Sequence, residues 1–236
     1  LHQATALQIE TPLRGPSEER HGYGYQFWRV REGGFAMYGM GVQLAVCLPQ
    51  KRLVLCTTAD TQLDPNGVQK IYDAFFTEIY PFAGKALAPD ETAVRRLRDR
   101  CEALAMRPLY NRPEFACPVA ARYDFSKNPI GLERLSMGGG RVCLEGSGLR
   151  HDFPLGMGEW REETLPWLKE PGMACAGWIA PSLMRCVCYL TGDTLSGMEM
   201  LLSFHAEGVT LEMKCAKEGP LGRYEGIVTG MRRNSL

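Results

Sequence analysis

The sequence carries no surplus of charge. Its 27 Lys and Arg balance 27 Asp and Glu, a formal net charge of zero over 236 residues. That removes the usual electrostatic reason to expect a nucleic-acid partner. It also lacks any apolar run of the roughly 18–20 residues that a membrane-spanning helix needs, so no membrane span is expected. Leu1-His2-Gln3-Ala4-Thr5 does not read as a signal peptide. No initiator Met stands at position 1, and the chain is expected to be a piece of a longer protein. No pair of its nine cysteines has C-x-x-C spacing. No Ser is followed three residues later by Lys.

Nine is an odd number, and most of these cysteines lie in apolar runs, where a thiol behaves as a small hydrophobe. The expected state is reduced core cysteines, which places the chain in the cytoplasm, rather than a disulfide framework or a zinc site. Cys186 and Cys188 alternate on a predicted strand and so share a face. Without a nearby pair of His they make a weak metal signal. No metal and no cofactor are expected.

The composition, 45% apolar and 23% charged, is that of a folded chain. Residues 22–59 read as three strands. Tyr23, Tyr25 and Phe27 alternate with Gly24, Gln26 and Trp28, a second run spans Phe35 to Leu48, and a third spans Leu53 to Thr58. Short turns between them imply antiparallel neighbours. Asp64-Pro65 then opens a helix, with Asp64 as N-cap. Val68, Ile71, Tyr72, Phe75, Phe76 and Ile79 recur at helical spacing and form one apolar face. Pro81 ends the helix. Residues 81–90 read as a linker, and a second helix is predicted over Glu91–Ala105. Val94, Leu97, Cys101 and Leu104 form its predicted buried stripe. Arg95, Arg96, Arg98 and Arg100 are interleaved with Glu91, Asp99 and Glu102, which reads as a solvated face.

From about Cys117 the pattern turns to nine short predicted strands, within 119–125, 131–137, 141–145, 149–154, 173–180, 183–190, 197–206, 209–216 and 223–229. Glycine turns such as Gly138-Gly139-Gly140 and Gly146-Ser147-Gly148 separate them. Gly138–Gly140 is a turn and not a phosphate loop, because no helix with Lys follows it. The predicted fold class is α+β: an antiparallel sheet with a packed helix over 1–80, a linker and helix over 81–115, and an antiparallel β-barrel over 116–236.

Two segments carry a family resemblance. Gly22-Tyr23-Gly24-Tyr25-Gln26-Phe27-Trp28 resembles the G-x-G-[WY]-x-[FW] strand of the serine β-lactamase-like family, which includes class C β-lactamases, penicillin-binding carboxypeptidases and related esterases. Phe35-Ala36-Met37-Tyr38-Gly39-Met40-Gly41-Val42-Gln43 resembles its F-G-[HK]-T-G-F-G-G-Q strand. Leu44–Pro49 and Leu53–Thr58 resemble the hairpin that follows, and the helix at 65–80 the family's C-terminal helix. Residues 117–236 resemble a lipocalin-like barrel appended to some members, on strand rhythm with Gly177-Trp178 and Tyr224-Glu225-Gly226.

The resemblance implies a serine hydrolase working by acyl transfer on an amide or ester, with a peptide-like or ester small molecule as substrate. The family's Ser lies in S-x-x-K and is assisted by a Y-x-N element, both upstream of the Gly22 strand. Here Ser17-Glu18-Glu19-Arg20 departs from S-x-x-K, so the nucleophile is absent from this chain and no catalytic residue is assigned within it. Aligned on Phe35, Gly39 and Gln43, the Lys or His position falls on Met37, which cannot carry a proton. Tyr38 stands for the usual Thr, Gly39 keeps the close backbone approach of a cleft strand, and Met40 would give the oxyanion-hole N–H. Val42 stands where Gly is common. Met37 and Met40 read first as plain packing, and second as an apolar cleft lining.

His21 precedes the first strand, and His2, His151 and His205 form no defensible triad. Ser136, Ser182 and Ser203 look ordinary, and Trp160, Trp167 and Trp178 read as core or barrel mouth. Two functional readings follow: a C-terminal piece of a β-lactamase-like hydrolase, inactive alone, or a non-catalytic relative or small-ligand-binding barrel. The expected partners are the missing N-terminal part of the same protein or a second copy.

Overall fold

The computed structural model describes residues 1–13, 15–84, 86–119, 121–216 and 219–233. Lys85 in the expected linker and Ala120 in the expected strand at 119–125 lie outside them. The protein is mostly β, with few helices, and it divides into two units, Leu1–Ala105 and Met106–Leu236. No described helix is long and apolar enough to cross a membrane.

The first unit is built on a four-stranded antiparallel sheet in the order β1 (Trp28–Val30), β2 (Gly34–Gly39), β3 (Gln43–Leu48), β4 (Leu53–Thr57). Two expectations are corrected. Tyr23 makes only isolated bridges, to Ile9 and Trp28, so the regular strand starts at Trp28. The run from Phe35 to Leu48 is two strands, folded back at Met40–Val42. Gly41 and Val42 turn the chain there with φ of +73° and +77°, a conformation that a β-branched residue does not announce.

A short helix α1 (His2–Thr5) precedes the sheet, and α2 (Gly67–Ala74) packs on one of its faces. The helix begins two residues later than expected, with Asn66 as N-cap. Asp64 instead accepts from the Asn66 N–H and pairs with Lys70. It continues through a π turn over Phe75–Ile79. Val68, Tyr72, Phe75 and Phe76 are buried against Ala36, Leu44, Val46 and Leu48, while Ile79 is exposed. Strand alternation sets this face: Ala36 pairs with Val46 and Val46 with Leu55. The opposite face carries Phe35, Met37, Ala45, Cys47, Val54 and Cys56.

One buried acid ties the chain's first residues to this unit. Glu18 is 1% exposed and accepts from the Arg31 backbone N–H (2.8 Å) and from Arg31 Nε (2.8 Å) and Nη2 (2.5 Å). Its own N–H donates to Gln69 on α2 (3.0 Å). Helix α3 (Glu91–Glu102) follows, capped by Asp90, which accepts from the Ala93 N–H at 2.9 Å. Its expected buried stripe is a correction: Val94, Leu97, Cys101 and Leu104 are all exposed.

In the second unit ten strands follow one another through a nearly closed, barrel-like antiparallel sheet. They are β5 (Arg122–Phe125), β6 (Arg134–Gly138), β7 (Arg141–Gly146), β8 (Leu149–Pro154), β10 (Arg161–Thr164), β11 (Pro171–Ala180), β12 (Leu183–Leu190), β13 (Ser196–His205), β14 (Gly208–Cys215) and β15 (Gly226–Arg232). The last of these pairs with the first, through Gly230↔Phe125 and Arg232↔Tyr123. The seam between β8 and β10 is bridged by β9 (Gly156–Met157), which pairs in parallel with Cys175 and Ala176 of β11. Strands β9 and β10 are absent from the sequence expectation, because Arg161-Glu162-Glu163-Thr164 shows no apolar alternation. Gly139 and Gly140, at φ of +57° and +71°, make the two-residue turn between β6 and β7.

The interior of this sheet is filled by side chains. Leu135, Leu144, Phe153, Met198, Met200, Leu202 and Leu211 are each fully buried. Trp178 meets Phe204 within this core in a tilted ring contact at 5.5 Å, and Trp167 packs against the core. All nine cysteines are free thiols, five of them buried here. Cys186 and Cys188 share the inner face with their sulfurs 3.9 Å apart.

Candidate functional site

Strand β2 and the loop after it bring Met37, Tyr38, Gly39 and Met40 together at the surface of the first unit. Strand β1 reaches only as far as Ala36, its last partner being Trp28, so Met37–Gly39 pair with β3 alone. Among the described residues, the outer backbone edge of this half-strand therefore has no strand beside it. Met37, Tyr38 and Met40 are 44%, 40% and 51% exposed, while Phe35 and Ala36 just before them are buried. A strand turns successive side chains to opposite faces. Met37 accordingly lies with Phe35 and Ala45, and Tyr38 with Ala36, Leu44 and the helix. Burial, with the charge of Glu19 second, pushes the Tyr38 phenol above its ordinary value.

The loop Met40–Val42 is fastened from several sides. The Val42 N–H donates to Gly39 O (3.1 Å), the Thr61 N–H to Gly41 O (3.2 Å) and Thr57 Oγ1 to Val42 O (3.2 Å). Gln43 Nε2 donates to Met40 O (3.3 Å) and Ala59 O (2.7 Å). Gly39 has space for little else, since a Cβ there would meet Gln43 Cβ at 3.2 Å. Val42 holds a left-handed backbone and is 1% exposed. Such a conformation costs a β-branched residue on the order of 1–3 kcal/mol and persists only where the surroundings enforce it.

His21 is 46% exposed with Nε2 3.9 Å from Glu18, and it caps no charge relay. Ser17 lies in a 3₁₀ turn over Ser17–His21. His151 is buried in the second unit, its Nδ1 2.8 Å from the Tyr224 hydroxyl and its ring edge-on to Trp167 at 4.5 Å. Burial, with Arg223 second, holds the His151 pKa below 6.5, and burial pushes the Tyr224 phenol up. Among the described residues no group of three or more His, Cys, Asp or Glu is arranged to hold a metal ion.

The clamp built on Glu18 was not legible in the sequence. Glu18 and Arg31 are 13 residues apart, and nothing in either neighbourhood marks the pair. Comparison of the chain with protein-family models, with curated proteins and with solved structures found no match in any of the three.

Proposed function

We propose that the chain is the C-terminal part of a β-lactamase-like serine hydrolase with an appended lipocalin-like barrel. On this reading it supplies one wall of a cleft whose nucleophile lies upstream. The observation that carries the reading is Val42. A buried valine is kept in a left-handed conformation two residues after an exposed loop residue, Met40, beside an open half-strand. Backbone strain of this kind concentrates where a loop must present its amides to a ligand. In the proposed reaction an upstream Ser attacks an ester or amide carbonyl, and the developing oxyanion is met by the Met40 N–H. Gly39 lets the substrate backbone approach β2, and Met37 gives an apolar contact where relatives carry Lys or His.

The chain by itself then has no acyl-transfer activity, because oxyanion donors without a nucleophile leave only a small residual effect. The test is hydrolysis of a chromogenic cephalosporin and of a short-chain ester, by this chain and by the same chain extended upstream to its natural start. Turnover by the extended protein alone, with an upstream Ser labelled by a fluorophosphonate, supports the proposal. Labelling of a Ser within residues 1–236 overturns it.

Met37 itself favours a second reading, a relative that has lost the chemistry, since a thioether holds neither a proton nor a carboxylate. An extended protein that binds but never turns over either substrate would support that reading. The filled interior of the second unit weighs against a barrel that encloses a small ligand.

A further inference from the structure

Helix α3 is unusual for what it leaves uncovered. None of its twelve residues is buried, and Val94 and Leu97 are 58% and 65% exposed. Leu104, two residues past its end, is 67% exposed, and its N–H donates back to Cys101 O at 3.2 Å. A helix this short is marginal in water without a packed face. The spacing of Val94, Leu97, Cys101 and Leu104 is three, four, three. That is the a, d, a, d repeat of a narrow helix-on-helix seam, not the wider stripe that lies on a sheet.

We propose that α3 is a self-association element, and that its seam is covered by α3 of a second copy in parallel register. Three features select this occupant. A β-branched residue at a (Val94) with Leu at d (Leu97, Leu104) favours parallel two-stranded pairing. The flanking positions agree with it: a parallel pair sets Ala93 opposite Arg98 of the other copy, and Arg100 opposite Ala105, with no like charges facing. An antiparallel pair would set Arg98 against Arg98 and Arg100 against Arg100, which is repulsive. Finally, residues 90–102 balance four Arg against four acids once the cap Asp90 is counted, with Glu91 four residues before Arg95, Arg95 four before Asp99 and Arg98 four before Glu102. This leaves no surplus charge with which to seek an anionic surface.

Two heptads bury little area, so the association is weaker than that of standard-size interfaces. The register is nonetheless readable, because Cys101 occupies an a position and faces its own copy across the parallel seam. In antiparallel register the two Cys101 would be offset by four residues, about 6 Å along the axis, beyond disulfide reach.

The experiment uses the full chain at rising concentration in sedimentation velocity, with diamide oxidation read on non-reducing gels. Two thiols lose two protons and two electrons, and diamide is reduced to its hydrazine. The expected result is a concentration-dependent dimer trapped through Cys101. The trapped species persists in Cys56→Ser, which removes the other exposed thiol, and is lost in Cys101→Ser. Leu97→Asp abolishes the dimer, and Cys101→Val, which improves the a position without threatening the helix, tightens it severalfold. A chain that stays monomeric at every concentration in both the parent and Cys101→Val overturns the proposal. So does a dimer that survives Leu97→Asp, or one in which Cys101 is never linked.

Discussion

Arg141 and Glu163 form a two-pronged clasp across the seam of the barrel-like sheet. Nη1 and Nη2 of the arginine donate to the two carboxylate oxygens at 2.9 and 2.5 Å, while its Nε donates to Asp152 Oδ1 at 2.6 Å. The clasp is one end of an ion-pair chain that crosses the outer face of five strands. From Asp152 it runs through Arg150, Glu145 and Arg134 to Asp124, which also pairs with Arg122 and Arg233. The neighbouring carboxylates hold the Arg141 guanidinium firmly protonated.

Removing the clasp should loosen the seam, where β9 contributes only two residue pairs to the ladder. Arg141→Met is expected to cost the second unit about 1 kcal/mol, a small figure because the side chain is 36% exposed and screened by water. Urea unfolding at low and high salt checks this. The parent midpoint should fall with salt and the variant's should fall less, since the pairs from Asp152 to Asp124 remain. An equal salt response in both would mean that the ion-pair chain does not hold the seam.

Glu18 presents the opposite balance, since it is a buried charge. Glu18→Ala strands the Arg31 backbone N–H and removes the carboxylate from its guanidinium. The expected cost is about 3 kcal/mol in the first unit, with the second unit's unfolding unchanged. Hydrogen exchange resolved by segment would separate the two. Protection should be lost over α2 and β1 and kept over β11–β14. An unchanged first unit would show that Arg31 and Gln69 find other partners.

The strands and α2 were legible because they rest on local signals: glycine turns, alternation, and one apolar face recurring at helical spacing. What escaped has no local signature. Glu18 meets partners 13 and 51 residues away, and β10 is held by its neighbours rather than by apolar alternation. The stripe on α3 was legible as a stripe, but periodicity states only that a face is apolar, not what covers it. The candidate site was named through resemblance. The structure adds that Met37 and Tyr38 lie on opposite faces, so only the backbone edge and the loop at Met40 are common to both.

Below pH 6.5 the second unit should lose stability. His151 is kept below its ordinary 6.5 by burial, with the Arg223 charge second. The unfolded chain therefore binds a proton that the folded chain refuses. Stability from this site is fully present above pH 6.5 and is lost progressively as the pH falls from there toward the lowered folded value, where the loss levels off. His151→Phe should flatten that part of the profile. Thermal melts between pH 7.5 and 4.5, followed by Trp fluorescence near Trp167, would read it. A parent whose melting temperature holds level across the window would remove His151 from the account.

The face of the first unit away from α2 is expected to associate with other chains. Phe35, Met37, Ala45, Cys47, Val54 and Cys56 lie there together, with Val54 58% exposed. Strand β4, Leu53–Thr57, is the edge of its sheet and contains no charge and no proline. Natural edges are blunted by charge, proline or a bulge, because bare ones pair with other chains. Here the edge and the apolar face adjoin, so each extends the other's surface. The chain alone is expected to bind a hydrophobic dye and to scatter more light at micromolar concentration than a monomer does. Val54→Lys places a charge on both features at once and should lower dye binding and scattering together. Its unfolding free energy in urea should change by less than about 0.5 kcal/mol, because the site is already in water. This association is open-ended, whereas the pairing proposed through α3 stops at two copies, so Leu97→Asp should leave the scattering in place. Scattering that Val54→Lys leaves untouched would place the sticky surface elsewhere in the chain.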